Sequence, residues 1–150
     1  MPDYLKNNSI NRIIDANLNR AKEGLRVCEE ITRFMLNNRK LTSQFKTIRH
    51  NLDGIAKGLA VNSFELLSQR QSISDVGKQI YVNELKRKNV RDIFLANMQR
   101  VKESIRVLEE FTKLINKNTA IKFKKLRYDT YEVEKQAYMR ISASCSPPLK

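Results

Sequence analysis

The feature that most restricts the fold of this chain is an internal repeat. Residues 16 to 33, ANLNRAKEGLRVCEEITR, align without a gap on residues 96 to 113, ANMQRVKESIRVLEEFTK, with ten identities in eighteen positions. After a two-residue deletion the match resumes: QFKTIRHN, from Gln44, lies over KFKKLRYD, from Lys122, so that Phe45, Lys46 and Arg49 recur as Phe123, Lys124 and Arg127. A unit present twice can bury its apolar face against its own copy, so the repeat points to an architecture before any single residue does.

The period inside each copy is helical. Ile14, Leu18, Ala21, Leu25, Cys28, Thr32 and Met35 alternate steps of four and three, one stripe of a bundle helix, which predicts a first helix over about residues 11 to 36. Thr42 reads as the N-cap of a second helix carried by Phe45, Ile48, Leu52, Ile55 and Leu59. The second copy predicts helices near 90 to 115 and 120 to 141, with Thr119 as its cap. Short connections make each pair antiparallel neighbours.

Two such hairpins with matching apolar faces predict an all-α fold, a four-helix bundle of two tandem hairpins related by a pseudo-twofold axis. The chain then reads as a single domain over 1 to 150: repeat one about 11 to 61, an ordered central linker about 62 to 89, repeat two about 90 to 141, and a frayed tail over 142 to 150. Part of the linker, near Phe64 to Leu67, has helical character, and SISDVGK reads as an ordered loop, a kind of segment that often carries function.

Composition agrees with this fold and narrows the function. With 150 residues and 41% hydrophobic content the chain can bury a core without disulfides or a structural metal. Two cysteines and one histidine cannot complete a four-ligand zinc site, so the thiols read as free and the compartment as reducing. No apolar signal core opens the sequence and no run is long enough to span a bilayer, which predicts a cytoplasmic protein with no membrane partner. The net charge of +13 suits nucleic acid, anionic lipid or small phosphorylated ligands, and its sign does not choose among them.

A second stripe carries the chemistry. Ile13, Asn17, Arg20, Gly24, Val27, Ile31 and Phe34 match Ile93, Asn97, Arg100, Ser104, Val107, Phe111 and Leu114, so each copy interrupts an apolar face with Asn and Arg one turn apart. Such groups must be paired or must line a solvated pocket. In an up-down-up-down bundle the first and third helices are parallel, which predicts that both Asn-Arg pairs and the Asp75-Gly77 loop converge in one cleft. Gly24 and Ser104 would permit close helix approach beneath it, and Glu23, Glu103, Arg26 and Arg106 would extend it. Arginine forks there could hold phosphate oxygens while a carboxylate holds magnesium or orients a nucleophile. A structural network pairing Arg20 with Glu23 or Glu103 fits the same spacing. His50, Tyr128 and Tyr131 read as packing residues before functional ones, and Cys28 as core. No phosphate-binding GxxxxGK-[ST] loop occurs.

At these residues the chain resembles a known family, the small hydroxymethylpyrimidine phosphate kinases of thiamine biosynthesis, found alone or fused ahead of thiamine phosphate synthase. RIIDANLNRAKEGLRVCEE resembles the opening motif, LLSQRQSISDVGKQI the central loop, and LANMQRVKESIRVLEE with LRYDTYEVE the second half, together spanning about residues 10 to 136. The resemblance implies transfer of the γ-phosphate of ATP, with Mg2+, to 4-amino-5-hydroxymethyl-2-methylpyrimidine phosphate, forming the diphosphate. Carried over as site positions are Asn17, Arg20, Glu23, Arg26, Arg49, Arg70, Asp75, Gly77, Asn97, Arg100, Glu103 and Arg106, with Glu23, Glu103 and Asp75 as candidate catalytic carboxylates and the rest as substrate or phosphate ligands. No metal ligand is assigned. Gln71 stands where the family pattern commonly has Asp. The synthase activity itself requires a (β/α)8 barrel of typically about 200 residues or more, for which these 150 show no pattern.

Two other readings remain open from sequence. One is a non-catalytic basic helical module for nucleic acid, which would use exposed lysines and weaken steeply with salt. The other is a scaffold whose partner is the synthase. Ile80, Tyr81 and Leu85 read either as an interface, which leaves homo-oligomerisation open, or as a cover for the bundle end.

Overall fold

The computed structural model describes residues 3–145. Its long elements are all helices, with α1 over Asp3–Glu30, α2 over Arg39–Lys57, a short α3 over Ser63–Ser68, α4 over Val90–Thr112 and α5 over Lys117–Ser144. The predicted linker helix is α3, capped by a reciprocal pair in which Asn62 accepts from the Glu65 N–H and Glu65 accepts from the Asn62 N–H. α1 begins at Asp3, eight residues before the predicted start at residue 11. Part of the predicted tail, 142 to 144, is the last turn of α5, and residues 146 to 150 lie outside the described residues.

The apolar stripes form the core. Ile14, Ala21, Leu25 and Cys28 of α1, Phe45 and Leu52 of α2, Phe94, Met98, Val101, Ile105 and Leu108 of α4, and Phe123 and Ala137 of α5 are fully buried. Met35 departs from the prediction and is exposed, as is Phe34. Residues Ile31–Met35 form a wider π-turn, closed by a hydrogen bond from the Leu36 N–H to the Ile31 carbonyl at 3.1 Å, which breaks the four-and-three spacing on which the Met35 prediction rests. Leu114, the counterpart of Phe34, is exposed as well. Asn37, at φ 48°, then reverses the chain in a left-handed conformation that asparagine tolerates.

The caps are also corrected. Asn38 caps α2, its side chain accepting from the Leu41 N–H at 3.0 Å, and Asn116 caps α5, accepting from Asn118 and Thr119 at 2.9 and 3.2 Å. Thr42 and Thr119 lie inside the first turns. The Thr42 hydroxyl already donates to the Asn38 carbonyl and contacts the Thr32 hydroxyl, so it serves the joint between α1 and α2.

Each hairpin is antiparallel, as Lys22 with Asp53 and Glu29 with Arg49 show in the first, and Lys102 with Glu134 and Glu109 with Arg127 in the second. Pairing of the hairpins differs from the prediction. A Cβ on Gly24 would sit 3.0 Å from the Asn97 carbonyl oxygen, and the Cys28 sulfur lies 3.9 Å from the Phe94 carbonyl. Going up α1 therefore means going down α4, so the first and third long helices are antiparallel. The bundle closes as α1–α2–α5–α4 with every neighbouring pair in contact, and the chain order is up-down-down-up. The linker must then run the length of the bundle, about 28 Å for a 19-residue helix such as α2. That is why it is long.

Candidate functional site

Antiparallel α1 and α4 remove the parallel arrangement on which the predicted common cleft rested, and Asn97 and Arg100 do not line the cleft that holds Asn17 and Arg20. What forms is a cleft of about 700 Å³ on the first copy alone, between α1 and the start of the linker. Its walls carry Asn17, Arg20, Glu23, Arg70 and Asp75 of the predicted set. It adds Arg12, Asp15 and Asn19 from α1, and Gln71 and Ser72 from the linker.

Charges in this cleft are unevenly satisfied. Arg70 lays its guanidinium on the Asp15 carboxylate, Nε to Oδ2 at 2.7 Å and Nη2 to Oδ1 at 2.8 Å. The hydrogen bond to Asp15 is the largest cause of a raised Arg70 pKa; desolvation opposes it, and the charges of Asp15 and Glu23 add to it. Arg12 and Arg20, both exposed to the cleft, have no ion-pair or hydrogen-bonding partner among the described residues. The structural network expected between Arg20 and Glu23 or Glu103 is therefore not made. Glu23 projects from the same face of α1, and Asp75 accepts the Gly77 N–H at 2.8 Å through one carboxylate oxygen, forming a local turn. Buried Asn17 donates to the Ile13 carbonyl at 2.8 Å, so its amide is satisfied within its own helix while still lining the cleft.

The other predicted positions lie elsewhere. Glu103 and Arg106 line a shallower recess of about 430 Å³ on the second copy with Gln99, Lys102, Arg127 and Tyr131. Every cation there is paired: Lys102 with Glu134, Arg106 with Glu110 at 2.9 Å, and Arg127 with Glu109 at 2.8 Å. For Arg127, burial pushes the pKa down, and hydrogen bonds to Tyr131 and Glu109 outweigh it to give a net rise. Arg49, the counterpart of Arg127, binds Glu29 at 3.0 Å and so ties α2 to α1, whereas Arg26 is paired within α1, with Glu30 at 3.0 Å. Asn97 repeats the Asn17 bond by donating to the Ile93 carbonyl, and neither Asn97 nor Arg100 lines the 700 Å³ cleft. Gly77 belongs to the Asp75 turn and not to the cleft wall.

Asp15 and Arg12 escaped the sequence reading because the repeat was the guide, and their counterparts are Leu95 and Asp92. A signal existed in the helical spacing of Arg12, Asp15, Asn19 and Glu23 on one face.

Among the described residues no cluster of three or more His, Cys, Asp or Glu side chains could hold a metal ion, and no helix is long and apolar enough to cross a membrane. Magnesium carried by a nucleotide needs only one or two protein carboxylates, and Glu23 and Asp75 meet that count.

Similarity to known proteins follows the same residues. The chain is 42% identical over 127 residues to a thiamine-phosphate synthase of Synechocystis sp., covering 84% of this chain and 35% of that protein. It is 41% identical over 124 residues to the thiamine-phosphate synthase of Nostoc punctiforme, covering 82% and 34%, and 34% identical over 132 residues to that of Rhodopirellula baltica, covering 87% and 35%. It thus spans about a third of the length of these curated relatives. No solved structure is significantly similar to it. Residues 12–136, which include most of both hairpins, the linker and every wall of the cleft except Ser9, match the ThiD2 family, and the chain belongs to that family.

Proposed function

We propose that this protein acts in thiamine biosynthesis as a kinase, moving the γ-phosphate of ATP to 4-amino-5-hydroxymethyl-2-methylpyrimidine phosphate to form the diphosphate. The observation that carries this reading is the pair of partnerless arginines, Arg12 and Arg20, facing a cleft whose third arginine, Arg70, is held in place. Phosphoryl transfer asks a protein chiefly to position two anionic reactants and to offset their repulsion. Free guanidinium forks do this by charge-assisted, bidentate contacts. Magnesium, held by Glu23 and Asp75 together with the nucleotide, would neutralise charge on the transferring phosphoryl group. Ser72 and Gln71 offer neutral hydrogen-bonding groups on the facing wall for the aminopyrimidine ring or the hydroxymethyl oxygen.

The synthase named in the relatives supports a division of labour. A (β/α)8 barrel needs eight strands, the described residues here contain none, and about two thirds of each relative lies outside the matched region. In this reading the helical third supplies the pyrimidine diphosphate that the synthase consumes, and functional coupling between the two follows. Reading the chain as a basic nucleic-acid module instead rests on the exposed lysines of α5, such as Lys122, Lys124 and Lys125.

The test is turnover. With Mg-ATP the purified protein should convert the pyrimidine monophosphate to the diphosphate and leave the unphosphorylated alcohol nearly untouched, because the alcohol lacks the group that the arginines hold. A folded protein that leaves the monophosphate unchanged, and binds single-stranded nucleic acid with steep salt dependence, overturns the kinase reading in favour of the basic module.

A further inference from the structure

Asp15 is buried, with 8% of its surface exposed, and it is the linker's polar anchor beside the cleft. Its two oxygens take the Nε and Nη2 protons of Arg70 at 2.7 and 2.8 Å, and the Asn19 amide reaches Oδ1 at 3.4 Å. Beyond Arg70 the linker has little to hold it. Residues 70 to 89 are all exposed, and from 71 to 85 the hydrogen bonds among the described residues stay within the linker itself. The next polar tie to the body is at the far end, where the Lys88 N–H donates to Asp92 at 3.0 Å. A strap with so few ties pays conformational entropy for staying in one place, so its anchors decide where it lies.

From this geometry we infer that Asp15 is a positioning residue for the phosphorylated ligand, acting through Arg70. Two of the five guanidinium N–H donors of Arg70 are spent on Asp15, which fixes the plane of the fork and leaves the Nη1 donors for a ligand phosphate. The same bond sets the chain direction just before Gln71, Ser72 and Asp75, which form the linker side of the cleft. Asp15 itself, a buried anion already satisfied, repels phosphate and is not a ligand. The inference rests on reading the cleft as a phosphate site, and it goes beyond that reading in naming what assembles it.

The experiment is a double-mutant cycle with Asp15→Asn, Arg70→Ala and the two combined, read in two ways on the intact protein. The first is steady-state kinetics with Mg-ATP and the pyrimidine monophosphate. Each single variant should raise KM for the monophosphate about tenfold or more with a smaller change in kcat, and the double variant should be no worse than Arg70→Ala alone, as expected if Asp15 acts only through Arg70. The second is limited trypsin digestion, which uses the exposed Lys78, Lys86, Arg87 and Lys88 and needs no turnover. Asp15→Asn and Arg70→Ala should be cut in the linker several-fold faster than the parent at an unchanged Tm, again without additivity. Additive effects in either cycle, or an Asp15→Asn variant with parental KM and parental cleavage, overturn the inference. A parent that turns nothing over sinks the kinase reading alone, and the trypsin cycle then decides whether Asp15 anchors the strap.

Discussion

Gly24 of α1 lies directly against Val101 of α4: a Cβ added to it would stand 2.6 Å from the valine Cγ2 and 3.0 Å from the Asn97 carbonyl oxygen. The glycine is there for close approach, since its φ is not positive. Gly24→Leu should therefore overpack a fully buried contact and lower stability by about 2 kcal/mol or more in a denaturant titration. Gly54, on the solvent side of α2 with nothing within 4 Å of its added Cβ, gives the contrast. Gly54→Ala should raise stability by about 0.5 to 1 kcal/mol through helix propensity alone.

The Glu109–Arg127 pair should matter to folding. Glu109 is 4% exposed and Arg127 8%, and the pair is completed by a hydrogen bond from Arg127 to the Tyr131 hydroxyl at 2.7 Å. Glu109→Ala would strand a buried cation, at a cost of about 3 to 5 kcal/mol by chemical denaturation. Its counterpart Glu29→Ala should cost less, because the Arg49 side chain is 21% exposed against 10% for Arg127 and can turn to water.

Cysteine reactivity should divide cleanly. Burial, with the Glu134 charge as a lesser cause, pushes the Cys28 thiol well above its ordinary pKa, whereas Cys145 is exposed. A maleimide at neutral pH should label Cys145 within minutes and Cys28 only on unfolding, as mass spectrometry of the native and denatured protein would show.

Much of the architecture was legible because helical period and repetition are properties of sequence. The stripe from Ile14 to Thr32 is buried as its spacing requires, and Asn17 and Asn97 make the same backbone bond at equivalent places. The crossing sense of α1 and α4 was not legible, since up-down-up-down and up-down-down-up orders bury the same stripes. The hint lay in the linker, far longer than a turn between helix ends on one side of a bundle would need. Asn38 and Asn116 recur at the spacing of the second repeat block and could have been preferred as caps to Thr42 and Thr119. The site was half legible. Arg20, Glu23, Arg70 and Asp75 line one cleft, Glu103 and Arg106 line another recess, and the match between copies hid Asp15, whose counterpart is a leucine.

The most direct measurement of the central claim compares single arginine variants in the phosphorylation assay at equal folded concentration. Arg20→Ala and Arg12→Ala, which remove partnerless cations from the cleft, should each lower kcat/KM for the pyrimidine monophosphate by tenfold or more, about 1.4 kcal/mol of transition-state stabilisation, with Tm unchanged. Arg100→Ala, outside the cleft, should stay within about twofold of the parent, roughly 0.4 kcal/mol. Loss of activity on Arg100→Ala with full activity in Arg12→Ala and Arg20→Ala would place the chemistry on the second copy and contradict this account.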